Sequence, residues 1–420
     1  MQILIKNGRV VNPAGKSGRL DILTEDGLVK QIGENITADA DRIIEAKGLT
    51  VSPGFVDVHV HFRDPGQTHK EDIETGAAAA KRGGYTSVVM MANTVPVIDN
   101  ENTLSYVLEK GAKTGINVYS CVTVTKGMEG RELADLDLLK DKGAKGYTDD
   151  GKPILDEKLV KEAMSIAKKN DLPISFHEED PAYIKEAGYD HGEASEALGI
   201  YGADRMAEIV MIERDIKLAL ETGADIDIQH ISSKEGVELV RRGRLKGKNI
   251  HAEATPHHFS LNSEAAVKYR TLAKMNPPLR TEEDRKAIIE GLKDGTIEMI
   301  ATDHAPHSEE EKAKGLTKAP SGIIGLETAY ALANMNLVMS GALSEEQLVE
   351  RMSTGPAKIY RLDAGVIKEG AGADIVLLDP EEEWTVNEFA SRSSNSPFKG
   401  MKLKGRVVLT IAKGEVVYEA

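Results

Sequence analysis

A chain of 420 residues in which 40% are hydrophobic can bury a large core, which excludes an intrinsically disordered protein. A formal net charge of −15 argues against nucleic acid and anionic membrane as partners. The single cysteine, Cys121, excludes an intrachain disulfide and fits a reducing compartment; with no secretory pattern in MQILIKNGRVV and no membrane-length apolar run, a cytoplasmic protein is expected.

In chain order, ILIKNGRVV and DILTEDGLVKQIG read as short strands joined by Gly-containing turns. The C-terminal stretches ADIVLLDP and KLKGRVVLTIAKGEVVYEA read the same way. Residues 1–52 and 364–420 are therefore expected to pair into one small β domain around a larger unit, 53–363. Within that unit, apolar strand-like runs alternate with helix-like segments. The runs are GFVDVHVHF, TSVVMMAN, INVYSCVTV, AKGYTDD, LPISFHEED, DIDIQHIS, NIHAEATPHH and IEMIATDH. Helices are expected over Lys70–Arg82, Asn102–Lys113, Glu157–Asn170, Asp204–Thr222, Glu235–Arg242 and Glu282–Lys293. Eight such strands fit a (β/α)8 barrel, an α/β fold of the TIM type. An open doubly wound sheet would alternate likewise; the barrel is preferred because polar residues recur at the strand ends.

Those ends carry His59 and His61, Asp149 and Asp150, His177, His230, and Asp303 with His304. In a barrel they converge on one rim. With a strand period of two, His59 and His61 point the same way, into the mouth. Imidazoles and carboxylates meeting at one point make a metal site, with more donors than one tetrahedral ion takes. Two ions sharing a carboxylate and a hydroxide fit the set, and such a site generates hydroxide near neutral pH for opening an amide or for the reverse condensation. Asp303 would face that hydroxide as proton carrier or serve only as a ligand, roles that are compatible. Cys121 reads as core packing, His257 and His258 as packing or as support for the ligands, and His69, His191 and His251 receive no role.

The run PGFVDVHVHFRDPG followed by EDIETGAAAAKRGGYTSVVMMANT resembles the amidohydrolase superfamily, and within it the dihydroorotases of the bacterial class I type. DDGKPI, ISFHEED, IQHIS, ATPHHF, KMNPPLR and IATDHAPH extend the resemblance over the whole chain. It implies a (β/α)8 barrel with a small β-sandwich built from both termini. It also implies reversible closure of N-carbamoyl-L-aspartate to L-dihydroorotate and water, in pyrimidine biosynthesis. Two zinc ions per chain are implied, held by His59, His61, Asp150, His177, His230 and Asp303. Asp150 would bridge them and Asp303 would also act as general acid and base. His61, Arg63, Asn93, Asn276, His307, Ser321 and Gly322 match substrate contacts. A homodimer, and association with aspartate transcarbamoylase, are further expectations of the resemblance.

The chemistry of these residues agrees, since a small dianion needs a fixed cation and amide donors, which Arg63 and Asn93 offer. Two positions depart from the pattern. Ser321 in KAPSGIIG stands where an aromatic is usual, so its contact is expected through backbone. Lys145 in GAKGYTDDG lies near the position of a lysine that other branches carboxylate as the metal bridge, and Asp149 is a further candidate for that role. The charged segment Ser308–Pro320 reads as a lid over the substrate or as a solvated loop. The competing readings are a sister cyclic amidase (an allantoinase or a dihydropyrimidinase or hydantoinase) and a non-catalytic scaffold.

Overall fold

The computed structural model describes Met1–Ala420. Strands from both ends of the chain share one sheet. Gln2–Val10 pairs with Gly18–Glu25, which pairs with Leu28–Gly33; Thr50–Pro53 joins the other side of Gln2–Val10. Thr50–Pro53 pairs antiparallel with Ile375–Thr385, followed by Lys402–Ala412 and Glu415–Glu419. Alternation of apolar residues gives this sheet its own core, in which Ile3, Ile5, Ile22 and Val51 meet Ile375, Leu409 and Ile411.

Between these strands the chain closes a parallel barrel. Phe55–Val60, Tyr85–Met90 and Asn117–Ser120 form one arc; Ile174–Phe176, Ile226–Ile228, Ile250–Ala254 and Met299–Ile300 form another. Tyr147 bridges Val122 and Ile174, taking the fourth strand position, and Val60 bridges His304 to close the ring. Phe55–Val60 and Tyr85–Met90 are buried on both faces, so even their polar residues Asp57, His59, Thr86 and Ser87 are enclosed. The fold is thus a barrel with a small β domain, and no helix is long and apolar enough to cross a membrane.

Helix positions follow their caps. Asp72 accepts from the Thr75 amide, so the first barrel helix is Ile73–Arg82 and not the longer Lys70–Arg82 expected from pattern. Ser233 caps Lys234–Lys246, which runs past the expected end at Arg242 through Gly243. A Cβ there would stand 3.0 Å from Ile216, so glycine permits the close helix packing and does not end the helix. The helix Ala329–Ala333, continued by a wide turn over Asn334–Val338, was not expected. All of Ala329–Ala333 is buried, and Asn334 beyond it donates to Pro380 and Lys404 of the small domain. A helix covered on every side has no polar face, and therefore no amphipathic period to detect.

Candidate active site

The first barrel strand does more than alternate. Its pairing with Tyr85–Met90 shifts register between Asp57 and Val60. Asp57 holds this bulge, accepting from the His59 amide at 3.0 Å and from the Thr302 amide at 3.2 Å. The extra residue re-aims the side chains beyond it. Val56 and Val58 pack with Val89, Met91 and Cys121, whereas Phe62 lies against Gly76 of the first barrel helix. His59 and His61 then project toward strands four, six and eight. Arg63, His230 and Asp303 adopt positive φ (58°, 36° and 45°), a costly conformation for residues with a Cβ, and all three lie at this rim.

Asp150 sits at the centre. Its Oδ1 lies 3.7 Å from His59 Nε2, 3.5 Å from His177 Nδ1 and 3.8 Å from His230 Nε2; its Oδ2 lies 3.5 Å from His61 Nε2. Asp303 Oδ1 is 2.9 Å from His61 Nε2 and 3.5 Å from His59 Nε2. Two donor groups result, His59–His61–Asp150 and Asp150–His177–His230, each with its ligand atoms within 4.8 Å of one another. Asp150 is common to both.

Electrostatics make the cluster a well for cations. Burial would raise Asp150, yet His59, His177 and His230 hold it well below the usual carboxylate range. Asp303 is lowered too, against its burial, by His61 and His59. Burial would lower His177, but Asp150 and Glu179 push it up to about 10; Glu253 and Asp150 raise His59 in the same way. Carboxylates that hold protons on imidazoles this firmly will hold metal ions in their place. Imidazole nitrogens around a shared carboxylate are the donor chemistry of a divalent ion, and the buried ring nitrogen His59 Nε2, which faces Asp150 and Asp303, lacks any hydrogen-bond partner. The residues fit a metal.

Three of the four imidazoles are oriented from behind. His59 Nδ1 is 2.5 Å from Glu253, His61 Nδ1 is 2.9 Å from Asn93 Oδ1, and His177 Nε2 is 2.9 Å from Glu179. Glu253, from the seventh strand, also accepts from the His230 amide at 3.2 Å. Sequence reasoning missed Glu253 and Glu179, although both lie inside strand-like runs, NIHAEATPHH and ISFHEED. The available signal was an acid on an otherwise apolar buried strand. Such partners fix the ring tautomer and raise ligand basicity. Glu253→Gln is expected to weaken metal affinity about 10- to 100-fold with the circular dichroism spectrum unchanged. Chelator competition on the metal-loaded protein checks this, and an unaltered affinity would refute the role.

A cavity of about 190 Å³ opens above the cluster, lined by His61, Arg63, Asn93, Asn276, His307, Ser321 and Gly322 together with Asp150, His177, His230 and Asp303. His59 lies beneath its floor, fully buried. Asn93 is already engaged on both sides, because its Nδ2 donates to Asp150 Oδ2 at 3.0 Å while its Oδ1 faces His61. Arg63 donates to the Pro306 carbonyl at 3.3 Å and lies 3.4 Å from His307 Nε2, and no carboxylate forms an ion pair with it. Burial and the nearby cations Arg63 and Lys70 keep His307 neutral. Ser321 bonds Asn276 through its hydroxyl at 2.9 Å and His307 through its carbonyl at 2.8 Å.

The segment Ser308–Pro320, read as a lid or a solvated loop, is tied down by buried lysines. After a short helix, Glu309–Lys312, the Lys312 ammonium donates to Pro320 and Gly322 at 3.0 Å, and burial beside Lys274 pushes its pKa down to about 7. Lys274 Nζ donates to Leu316 and Ala319 at 2.8 Å. Asn395, close to the C-terminal strands, ties Ala305 to Gly322. Lys274→Met is expected to strand three backbone carbonyls, speed proteolytic cleavage within 309–319 about 10-fold and raise KM more than it lowers kcat. Unchanged cleavage and KM would show that the anchor is idle.

The remaining candidates fall away from the centre. Asp149 turns back to the Val124 and Thr125 amides. Lys145 stands near the opposite end of its strand, 5.6 Å from the centre of the Tyr119 ring. His258 is bonded to Thr255 and the Pro277 carbonyl, and burial lowers its pKa and that of His257.

The amidohydrolase family model matches residues 50–417. A dihydroorotase of Clostridioides difficile (strain 630) is 54% identical over 420 residues, covering 100% of each chain. One from Clostridium acetobutylicum is 52% identical over 421 residues and covers 99% of each. Among solved structures, L-hydantoinase (dihydropyrimidinase) from Arthrobacter aurescens superposes with a TM-score of 0.88 at 26% identity, covering 99% of this chain and 96% of that one. Dihydropyrimidinase from Brevibacillus agri, at 24% identity and a TM-score of 0.86, shares the fold over 100% of this chain and 95% of its own. Matched by the family model over most of its length and by relatives more than half identical from end to end, the chain belongs to the amidohydrolase family and, within it, to the dihydroorotases.

Proposed function

We propose that this chain interconverts N-carbamoyl-L-aspartate and L-dihydroorotate with two zinc ions, in the cytoplasm, in a catalytic barrel spanning 53–363 flanked by the small domain 1–52 and 364–420. The carrying observation is an unpaired guanidinium, Arg63, at the wall of a cavity whose floor is a six-residue cation well. A neutral cyclic amide needs the well but not the guanidinium. A ring bearing a carboxylate needs both.

His59, His61 and Asp150 would hold one ion, and Asp150, His177 and His230 the other, with Asp303 completing the set. The ions, when bound, polarise the amide carbonyl and lower the pKa of water. Arg63 receives the substrate carboxylate as a two-pronged donor, and the backbone at Ser321 and Gly322 borders the ring. Asp303 is held toward the cluster through Oδ1, which leaves Oδ2 to carry the proton. In ring opening that proton passes from the attacking water to the departing ring nitrogen as the amide C–N bond breaks; in closure it returns. His307, kept neutral, adds no charge that would compete with Arg63.

The test is hydrolysis of dihydroorotate, dihydrouracil, hydantoin and allantoin side by side by zinc-loaded protein. Dihydroorotate is expected to be the preferred substrate. Turnover of the uncharged rings alone would overturn the reading, and no turnover of any substrate would favour a scaffold. A homodimer and association with aspartate transcarbamoylase belong to the same proposal, and light scattering with and without the transcarbamoylase reads both.

A further inference from the structure

At the other end of the barrel, where strands six to eight begin, a second cavity of about 570 Å³ lies between the helix Lys234–Lys246 and the helix Gly355–Ile359. Its walls are nearly all charged, and Ile359 is the one hydrophobic residue among them. Basic groups outnumber acids there, in a chain whose net charge is −15.

The pairing inside it is uneven. His251 stands between two carboxylates, 2.6 Å from Glu298 and 3.8 Å from Asp225. Arg244 takes the other side of Glu298, and Arg361 takes the other side of Asp225 at 2.5 Å while also pairing with the exposed Asp171 at 2.8 Å, outside the cavity wall. Those two acids are thus saturated by three cations; against its burial, they push His251 up to about 9, so it is charged at neutral pH. Three cations remain for one acid. Arg351, 8% exposed, lies 3.5 Å from Glu350, while Lys248 and Lys358 make no ion pair.

We propose that this cavity binds a diphosphate group, either free pyrophosphate or the diphosphate of a small metabolite such as a nucleoside diphosphate. Converging excess cations in a concave site are what a multiply charged phosphate needs. The lack of an apolar platform places recognition on the phosphates and not on a base. Lys248 and Lys358 act as mobile point charges on the rim, and Arg351 acts as the fixed donor behind them. The site shares no residue with the zinc cluster, so it does not rest on the proposed reaction.

The experiment is isothermal titration of the full-length, zinc-loaded protein with inorganic pyrophosphate and, separately, with a nucleoside diphosphate. The variant Lys248→Ala/Lys358→Ala alters two exposed side chains and should leave turnover unchanged. Any pyrophosphate heat from the metal centre is common to both proteins, so the difference between them isolates this cavity. Binding with a Kd below about 1 mM, weakened at least 10-fold in the double variant and retained in Lys248→Arg/Lys358→Arg, is the expected result. Tighter binding of the nucleoside diphosphate would assign the metabolite; equal binding would assign the free anion. No difference between wild type and the double variant, or no binding to either, would overturn the proposal.

Discussion

Asp303→Asn is expected to lower kcat for dihydroorotate about 10³-fold with little change in folding. The substitution keeps the shape of the side chain and an oxygen for His61, but Asn cannot carry a proton between water and the ring nitrogen. Because Asp303 also borders the proposed metals, zinc content must be measured on the same sample. Full zinc occupancy with lost turnover assigns the defect to proton transfer. Lost zinc with turnover restored by excess metal would reduce Asp303 to a ligand. Turnover within 10-fold of wild type at full occupancy would remove it from the mechanism. KM should move less than kcat, since the proton moves in the transition state and not on binding.

Much of this site was legible because its chemistry is written in residue types that apolar strands rarely contain. His59, His61, Asp150, His177, His230 and Asp303 each interrupt or end a buried run, and barrel closure alone brings such ends together. What stayed hidden had ordinary local context. The period-two argument for His59 and His61 reached the right side of the strand without the bulge at Asp57 that re-aims them, because an extra residue in a strand leaves no mark on composition. Glu253 lay inside a strand-like run without a role, and it is fully buried behind His59. Lys312 lay in a segment read as a lid or a solvated loop, yet it and Lys274 bind carbonyls that only the folded loop presents. The helix Ala329–Ala333 escaped because it is covered on all sides. In each case the deciding partner was distant in the chain, and burial reversed the meaning of a polar side chain.

The second large effect concerns substrate choice. Arg63→Met is expected to raise KM for dihydroorotate about 100-fold, with kcat changed far less. A charge-assisted, two-pronged contact to a carboxylate contributes about 2–3 kcal/mol, and about 1.4 kcal/mol is a factor of 10. The same variant should barely affect hydrolysis of dihydrouracil, which lacks the carboxylate, so the ratio of the two kcat/KM values collapses by nearly the full factor. Arg63→Lys should recover part of the loss, because an ammonium keeps the charge but not the planar fork. Stability separates this role from a structural one. A guanidinium that holds the fold together would cost stability when removed. Arg63 is instead a largely desolvated cation with no ion-pair partner, its pKa lowered by burial, and the protein bears that cost while the site waits for its anion. Arg63→Met should therefore leave Tm unchanged or raise it, and it should abolish the stabilisation that dihydroorotate gives the wild type. A fall of several degrees in Tm, with both substrates losing activity equally, would show that Arg63 serves the scaffold and that the carboxylate is bound elsewhere.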